Sequence, residues 1–474
     1  MKILFAAAEG VPFFKTGGLA DVIGSLPPVL SDQGLEVRVA LPFYRRLARF
    51  EPAARPLLET RLDFAGRRLE LRVLAGPKAA VETWFFDAPE LFDRDHIYGP
   101  PGADYPDSLL RFGFFSFAVL KVLPELGFRA DVAHVHDWHT AALPVYLREL
   151  LAADPFYREM KSVLTIHNLG YQGVFSHSNW PMLGLPDHLF NLNGFEFYNQ
   201  VNLLKAGLLW ADRLTTVSPS YSREIQTPEY GEKLDGLLRQ RSSSLVGILN
   251  GIDYRYWDPA SDRMLTQVYD PAQPDGKAVN KADLERRFGL DPGRPLLGVV
   301  SRLVPQKGFE LVMEALGDIL RLGFNLVILG SGLDKYEEFF GRAVQKFPGR
   351  LGFQTGYQEE LAHRIYAGSD FFLMPSLYEP CGLGQMIAMR YGTIPVVRRT
   401  GGLADSVAEF KSGRGTGFLF DQPAAPELLA ALGRAHRAFG DARAWRKLRA
   451  NAVAADFSWQ RSAAEYAGLY RSIS

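Results

Sequence analysis

Three short stretches of the chain carry cations, carboxylates and glycines in patterns suited to moving a group away from a diphosphate. In "SRLVPQKGFE", Arg302 and Lys307 lie in a loop that follows an apolar run. Each cation is worth about 4 kcal/mol of attraction to a phosphate at roughly 4 Å, for an effective dielectric of about 20. Two solvated surface cations would show the same spacing. In "LYEPCGLG", Glu379 precedes Pro380 and Cys381. A carboxylate at such a turn can accept hydrogen bonds from sugar hydroxyls or stabilise positive charge at a reacting carbon. Cys381 has no histidine near it in sequence to take its proton, which points to packing or contact rather than nucleophilic attack. The third stretch occurs twice, as "KTGGLADV" at Lys15–Val22 and "RTGGLADSV" at Arg399–Val407. Glycines there let backbone approach an anion, and unpaired N–H groups at a helix start can bind it. Two tight turns without a ligand are the competing reading.

Other chemistries are less well served. "HVHDWH" sets His134, His136, Asp137 and His139 close together. It nearly matches the His-x-His-x-Asp-His run of metallo-β-lactamase-like hydrolases, with Asp137 one place too early. His134 and His136 alternate onto one strand face, as ligands and packed residues both do, so a metallohydrolase stays open as an alternative. "DRD" at Asp93–Asp95 resembles the Asp-x-Asp of metal-dependent glycosyltransferases and reads as a loop. Lys335 occupies the third-glycine position after "LGSG", which disfavours a dinucleotide fingerprint, and no GxxxxGK[ST] phosphate loop occurs.

The elements that must position these residues read as two series of buried strands alternating with helices. "KILFAAA", "EVRVALP", "ADVAHVH", "SVLTIHN" and "RLTTVS" make the first series; "PLLGVVS", "NLVILGSG", "DFFLMPS" and "TIPVVR" make the second. Strands apolar on both faces and separated by helices predict parallel, doubly wound sheets. The fold class is therefore α/β with two Rossmann-like domains. The join is expected in the Gly-, Asp- and Pro-rich "GILNGIDYRYWDPASD" (Gly247–Asp262), giving domains 1–250 and 251–457 and a last helix at 458–474. Both TGGLAD copies then fall where a strand's carboxyl end meets a helix, the edge at which open α/β sheets bind ligands.

Bulk properties narrow the function. With 474 residues the chain suits two domains, and Lys+Arg equals Asp+Glu at 53 each. Nucleic acid and membrane surfaces gain no support from a net charge of zero. A single cysteine fits a reducing compartment. Glu9 interrupts the apolar start, and no stretch approaches the roughly 18 apolar residues of a membrane span. The expectation is a cytoplasmic protein.

Taken in order, "KTGGLADV", "HVHDWH", "THNLGYQG", "LNGIDYRYWDP", "SRLVPQKG", "LYEPCGLGQ", "RRTGGLADS" and "FSWQRSAAEYAGLY" closely resemble bacterial glycogen synthases and plastid starch synthases. The resemblance spans nearly the whole chain. It implies the GT-B arrangement, two Rossmann-like domains facing across a cleft, with the last helix returning to the N-terminal one. It also implies glucose transfer from ADP-glucose to the non-reducing 4-hydroxyl of an α-1,4-glucan such as glycogen or a malto-oligosaccharide. Configuration at the anomeric carbon would be retained, with no metal or other cofactor.

By the same resemblance, Arg302 and Lys307 grip the leaving diphosphate. Lys15 approaches from the opposite domain, and the amides of Gly18, Gly401, Gly402 and Leu403 share the charge. Glu379 holds glucose hydroxyls, His167 faces the anomeric centre, and Asp137 and Asn168 surround sugar and acceptor. Tyr357 stacks on adenine, Asn250 sits at the join, and Asp21, Cys381, Gly382, Leu383 and Thr400 complete the substrate-binding set. Two positions depart from the pattern: Ile387 stands where related retaining enzymes carry a second acid, and Ser108 stands where Asn is expected. Ribose recognition must then come from elsewhere. The Arg-rich composition, with no Ser-rich leader before "MKILF", favours the bacterial branch. UDP-glucose as donor, another acceptor, or a silent glucan-binding protein remain as alternatives.

Overall fold

The computed structural model describes residues 1–45, 47, 55–77, 79–100, 103–273 and 275–473. The chain forms two compact units. The first comprises Met1–Val217, Ser222–Ile248 and the chain from Trp459 onward; the second comprises Ser218–Tyr221 and Leu249–Ser458. Asn250, expected at the end of the first domain, thus groups with the second. So does Ser218–Tyr221, because Ser218 Oγ donates to Pro380 O at 2.7 Å and Ser220 N–H and Oγ both donate to the Asp405 carboxylate.

In the first unit the strands are β1 (Lys2–Ala6), β2 (Glu36–Pro42), β3 (Arg55–Phe64), β4 (Arg67–Ala75), β5 (Glu82–Asp87), β6 (Val132–His136) and β7 (Lys161–Ile166). Three short strands follow, β8 (Val174–Ser176), β9 (Glu196–Phe197) and β10 (Gln200–Asn202), then β11 (Arg213–Thr216) and β12 (Leu245–Gly247). The main sheet runs β12-β11-β7-β6-β1-β2-β5-β4-β3, and β8-β10-β9 form a small antiparallel sheet. The central strands are parallel and buried along almost their whole length, as apolar runs such as Ile3–Ala6 require. The β3–β4 hairpin is different: it pairs antiparallel at the sheet edge, and Arg68–Val73 alternates exposed and buried positions.

The helix Gly18–Asp32 follows β1 and ends at Gly34, whose φ of 87° lets Leu35 N–H return to Leu30 O at 3.2 Å. The last helix, Trp459–Arg471, lies against it; Gln33 Nε2 reaches Gln460 O at 3.4 Å, and Tyr470 OH meets His134 Nδ1 at 2.8 Å. Ser474, the predicted end of that helix, lies outside the described residues.

The second unit has six parallel strands: β13 (Leu296–Val300), β14 (Asn325–Gly330), β15 (Leu351–Thr355), β16 (Phe371–Met374), β17 (Ile394–Arg398) and β18 (Phe418–Phe420). Their order is β15-β14-β13-β16-β17-β18. Counted within the unit this is 3-2-1-4-5-6, the doubly wound dinucleotide order, in which the crevice opens between strands one and four. The helix Phe309–Arg321 shows how the sequence drives it: Phe309, Val312, Leu316, Ile319 and Leu320 fall on one face and are buried. Each such side chain contributes roughly 1.5–3 kcal/mol. Order reverses at β13/β16 in this unit and at β1/β6 in the first.

Candidate active site

The loops leaving β13 and β16 carry Arg302, Lys307 and Glu379. After β13, a short 3-10 turn (Pro305–Lys307) leads into the helix Phe309–Arg321. Gly308 joins them at φ 70°, and a Cβ there would stand 2.0 Å from Pro375 O. Glycine is what lets the two loops touch. Gln306 ties them in both directions, accepting Leu377 N–H at 2.8 Å and donating to Tyr378 O at 3.2 Å. Lys307 Nζ consequently meets Glu379 Oε2 at 2.6 Å, and Ser376 Oγ donates to the same oxygen at 2.9 Å. Both side chains are shielded, at 17% and 8% exposure, so removing either strands the other charge. Arg302 is exposed and its side chain has no partner among the described residues. The loop after β13 thus carries a solvent-facing cation, Arg302, and the lysine of a shielded cation–carboxylate pair at the strand switch.

Around this centre, Cys381 is buried, and burial pushes its thiol up to about 12 against a hydrogen bond with the Asn250 backbone. It stays protonated, which removes the nucleophile reading. The Asn250 Oδ1 atom is a buried acceptor with no donor among the described residues. Gly382 sits at φ 71° beside Leu383, which caps the helix Gly384–Arg390. Ile387 on that helix is buried in the core and offers nothing to a ribose. Tyr357 follows β15 past Gly356 (φ 84°) with 66% exposure, an open ring at the strand's carboxyl end.

The second TGGLAD copy differs from expectation. Thr400 is buried, and the helix Gly401–Ser406 packs against the Glu379 turn: a Cβ on Gly401 would lie 2.0 Å from Glu379 O, and one on Gly402 2.0 Å from Cys381 O. The Gly402 N–H donates to Glu379 O at 3.0 Å, and the Leu403 N–H to Thr400 O at 3.0 Å. Those two amides, expected to share a diphosphate's charge, are committed inside the turn. The copy's work is to hold Glu379 in place.

In the first unit the corresponding loops leave β1 and β6. Glu9, just past β1, is 3% exposed; its Oε2 accepts Thr16 N–H at 2.5 Å and Thr16 Oγ1 at 2.8 Å. Burial pushes it up to about 7. Glu9 therefore ties down the loop before the helix Gly18–Asp32, whose first amides have no intrahelical acceptor. Lys15 Nζ pairs with Asp21 Oδ1 at 2.8 Å, and burial raises Asp21 against that attraction. A Cβ on Gly18 would meet nothing within 4 Å. In sequence Glu9 stands out only as a break in an apolar run; its contact with Thr16 is made by the loop's closure.

Asp137 follows β6 with φ 52°, a left-handed conformation a short acidic side chain tolerates. Burial pushes it up to about 7, opposed by N–H bonds from His167 (2.7 Å) and Asn168. His167 Nε2 meets His136 Nδ1 at 3.0 Å, and burial pushes His167 down to about 3, so its ring is neutral. Asn168 Oδ1 accepts Gly170 N–H at 3.0 Å. Ser108 is buried at the start of the helix Ser108–Lys121. The structure therefore brings Asp137, His167 and Asn168 together.

"HVHDWH" does not assemble a metal site. His134 spends both ring nitrogens on hydroxyls, Tyr470 at 2.8 Å and Thr165 at 2.6 Å. Among the described residues, no group of three or more His, Cys, Asp or Glu could hold a metal ion. In the exposed "DRD" loop, Asp93 and Asp95 pair with Arg45 at 2.8 and 2.9 Å.

Comparison with known proteins agrees along the whole chain. Residues 2–240 match the starch synthase catalytic domain family and residues 280–437 the glycosyl transferases group 1 family. A glycogen synthase of Syntrophotalea carbinolica is 44% identical over 476 residues, covering 99% of this chain and 98% of that one. One from Anaeromyxobacter dehalogenans (strain 2CP-C) is 47% identical over 479 residues, covering 100% of both. Among solved structures, the catalytic domain of starch synthase IV from Arabidopsis thaliana, bound to ADP and acarbose, aligns with a TM-score of 0.90 and 34% identity over 99% of each chain. A sucrose-phosphate synthase from Thermosynechococcus elongatus aligns at TM-score 0.61 and 19% identity over 100% of this chain and 98% of that one, a likeness of fold alone.

Proposed function

The chain belongs to the glycogen and starch synthase family of glycosyltransferases, and we propose that it transfers glucose from ADP-glucose to the non-reducing 4-hydroxyl of an α-1,4-glucan with retention. One observation carries the chemistry: Lys307 pairs with Glu379 at the β13/β16 switch point, and Arg302 lies on the same loop as Lys307. Breaking the anomeric C–O bond leaves an oxocarbenium-like sugar and a diphosphate with added negative charge. Arg302 and Lys307 neutralise the diphosphate, and Glu379, oriented by Ser376 and Lys307, holds glucose hydroxyls beside the developing positive carbon. Tyr357 stacks on the adenine, while Asn250, Cys381, Gly382, Leu383, Thr400 and Gly401 shape the donor pocket. With charge neutralised by side chains, the reaction needs no metal or other cofactor.

The first unit supplies the acceptor side. Lys15 and the Gly18 amide add positive potential, held in place by Glu9 and Asp21. His167, neutral at working pH, serves by position rather than as an acid, and Asp137 and Asn168 orient hydroxyls. No helix is long and apolar enough to cross a membrane among the described residues, and a cytoplasmic site of action fits this substrate pair.

Incubation with glycogen and equal ADP-glucose and UDP-glucose, following nucleotide release and the anomeric configuration of the new linkage by NMR, tests the reading. ADP release with α-linked glucose added at chain ends is expected. UDP release dominating would reassign the donor, and nucleotide release without glucan growth would overturn transfer.

A further inference from the structure

The chain balances its charges overall, with 53 basic and 53 acidic side chains, and many surface arginines sit against a carboxylate, as Arg61 does with Glu70 and Arg399 with Asp421. One region of the second unit breaks this habit. The helix Ala442–Val453 carries Arg443, Arg446 and Lys447. These stand at i, i+3 and i+4, the spacing that sets like charges side by side at a cost to the helix. Arg443 also lies in the first turn, where the helix dipole already concentrates positive charge. With Arg414 they line one open cavity of about 1150 Å³, whose single carboxylate is Asp441. All four cations are exposed, and none has a carboxylate partner among the described residues. Asp441 is itself occupied as the helix cap, accepting the N–H groups of Arg443 at 2.9 Å and Ala444 at 3.1 Å.

The opposite wall is a turn built with its donors left over. Ser412 (φ 52°) and Gly413 (φ 77°) are both left-handed, closed by reciprocal bonds between Lys411 and Arg414. Asn451 Nδ2 takes the carbonyls of Gly413 at 3.1 Å and Gly415 at 3.0 Å. The N–H groups of Ser412, Gly413 and Gly415 have no acceptor among the described residues. Backbone amides left over in a left-handed turn beside several cations suit an anion. The turn precedes β18, at the amino edge of the parallel sheet, whereas Arg302, Lys307 and Glu379 follow carboxyl ends. The cavity is therefore not the donor site. Phe410 is its one aromatic wall, a poor platform for a neutral glucan.

We infer that this cavity binds a small, multiply charged phosphate ester at a site separate from the transfer chemistry. Local sequence choices that cost helix stability without packing gain are expected at functional positions, and a bound polyanion offsets every like-charge contact at once.

Calorimetric titration of fructose 1,6-bisphosphate, and separately of inorganic phosphate, into the full chain saturated with ADP tests this. One bisphosphate per chain is expected, with Kd on the order of 100 μM and weaker binding as salt rises. Arg443→Glu with Lys447→Glu is expected to weaken it by about tenfold or more, and the Gln pair to fall between, with glucosyl transfer unchanged in both. Absence of bisphosphate binding in the ADP-saturated wild type would overturn the inference. Equal binding by the charge-reversed variant, or loss of transfer in it, would do the same.

Discussion

The two TGGLAD copies share six letters and do opposite work. In the first, Gly18 opens a fifteen-residue helix with empty space where a side chain would project, and the loop before it is held by the Glu9 carboxylate. In the second, Gly401 and Gly402 open a six-residue helix pressed onto the carbonyls of Glu379 and Cys381. Glycine leaves open space at one site and permits backbone packing at the other. What decides is the strand each copy follows: β1 borders the first sheet's switch point, whereas β17 lies one strand beyond the second's. The second copy therefore buttresses a loop that belongs to its neighbour, β16.

Substitutions can break this comparison. Gly402→Ala should do most damage, because its Cβ would meet Cys381 O at 2.0 Å with no flexible side chain to yield. A loss of about 3 kcal/mol or more is expected, read as a lower denaturant midpoint, with transfer lost alongside. A midpoint within error of wild type would contradict the packing role.

Glu9→Gln should next separate the copies by pH. Glu9 is raised from 4.5 to about 7, so its contribution favours the folded state fully below 4.5 and is lost as pH rises to 7. His139 and His167, lowered from 6.5 to about 3, work the other way: their contribution is present above 6.5 and lost as pH falls to 3. The difference between wild type and Glu9→Gln isolates the carboxylate. Relative to the variant, wild type should lose up to about 3 kcal/mol between those limits, at no more than roughly 1.4 kcal/mol per pH unit. Parallel stability curves would show that Glu9 does not titrate in the fold.

Gly18→Ala should leave stability unchanged or slightly raised, since nothing lies within 4 Å of the new Cβ, yet lower kcat/KM by about tenfold to a hundredfold. Unchanged kinetics would mean that no ligand approaches there. Lys15→Gln sets the lower bound: its pair with Asp21 is 46% exposed on the lysine side, so the midpoint should move by less than about 1 kcal/mol. A larger shift would make the first copy structural after all.

The sequence made the second unit's chemistry readable because its strands are continuous apolar runs and its charged residues follow them directly. "VVSRLVPQK" and "FLMPSLYEP" each place function within a few residues of a strand end. Two regions resisted. In the β3–β4 hairpin, β3 has few fully buried positions and so no apolar run like those of the central strands, and the hairpin carries no catalytic motif. The unlike work of the two TGGLAD copies depends on carbonyls of residues 379 and 381, some twenty positions upstream of the second one, a contact no local pattern encodes. Likewise, pairing of Lys307 with Glu379 arises from glycine-mediated contact between two loops, and each residue read alone looked like a separate ligand-binding group.

The role proposed for the Lys307–Glu379 pair at the β13/β16 switch is to stabilise charge as the bond between glucose and the diphosphate breaks. Single-turnover transfer of labelled glucose from ADP-glucose to glycogen checks this in Lys307→Ala and Glu379→Ala proteins assayed below their own unfolding temperatures, where circular dichroism shows both folded. A fall of about 10²–10³ in the transfer rate is expected for each. Rates within about twofold of wild type in both would contradict it.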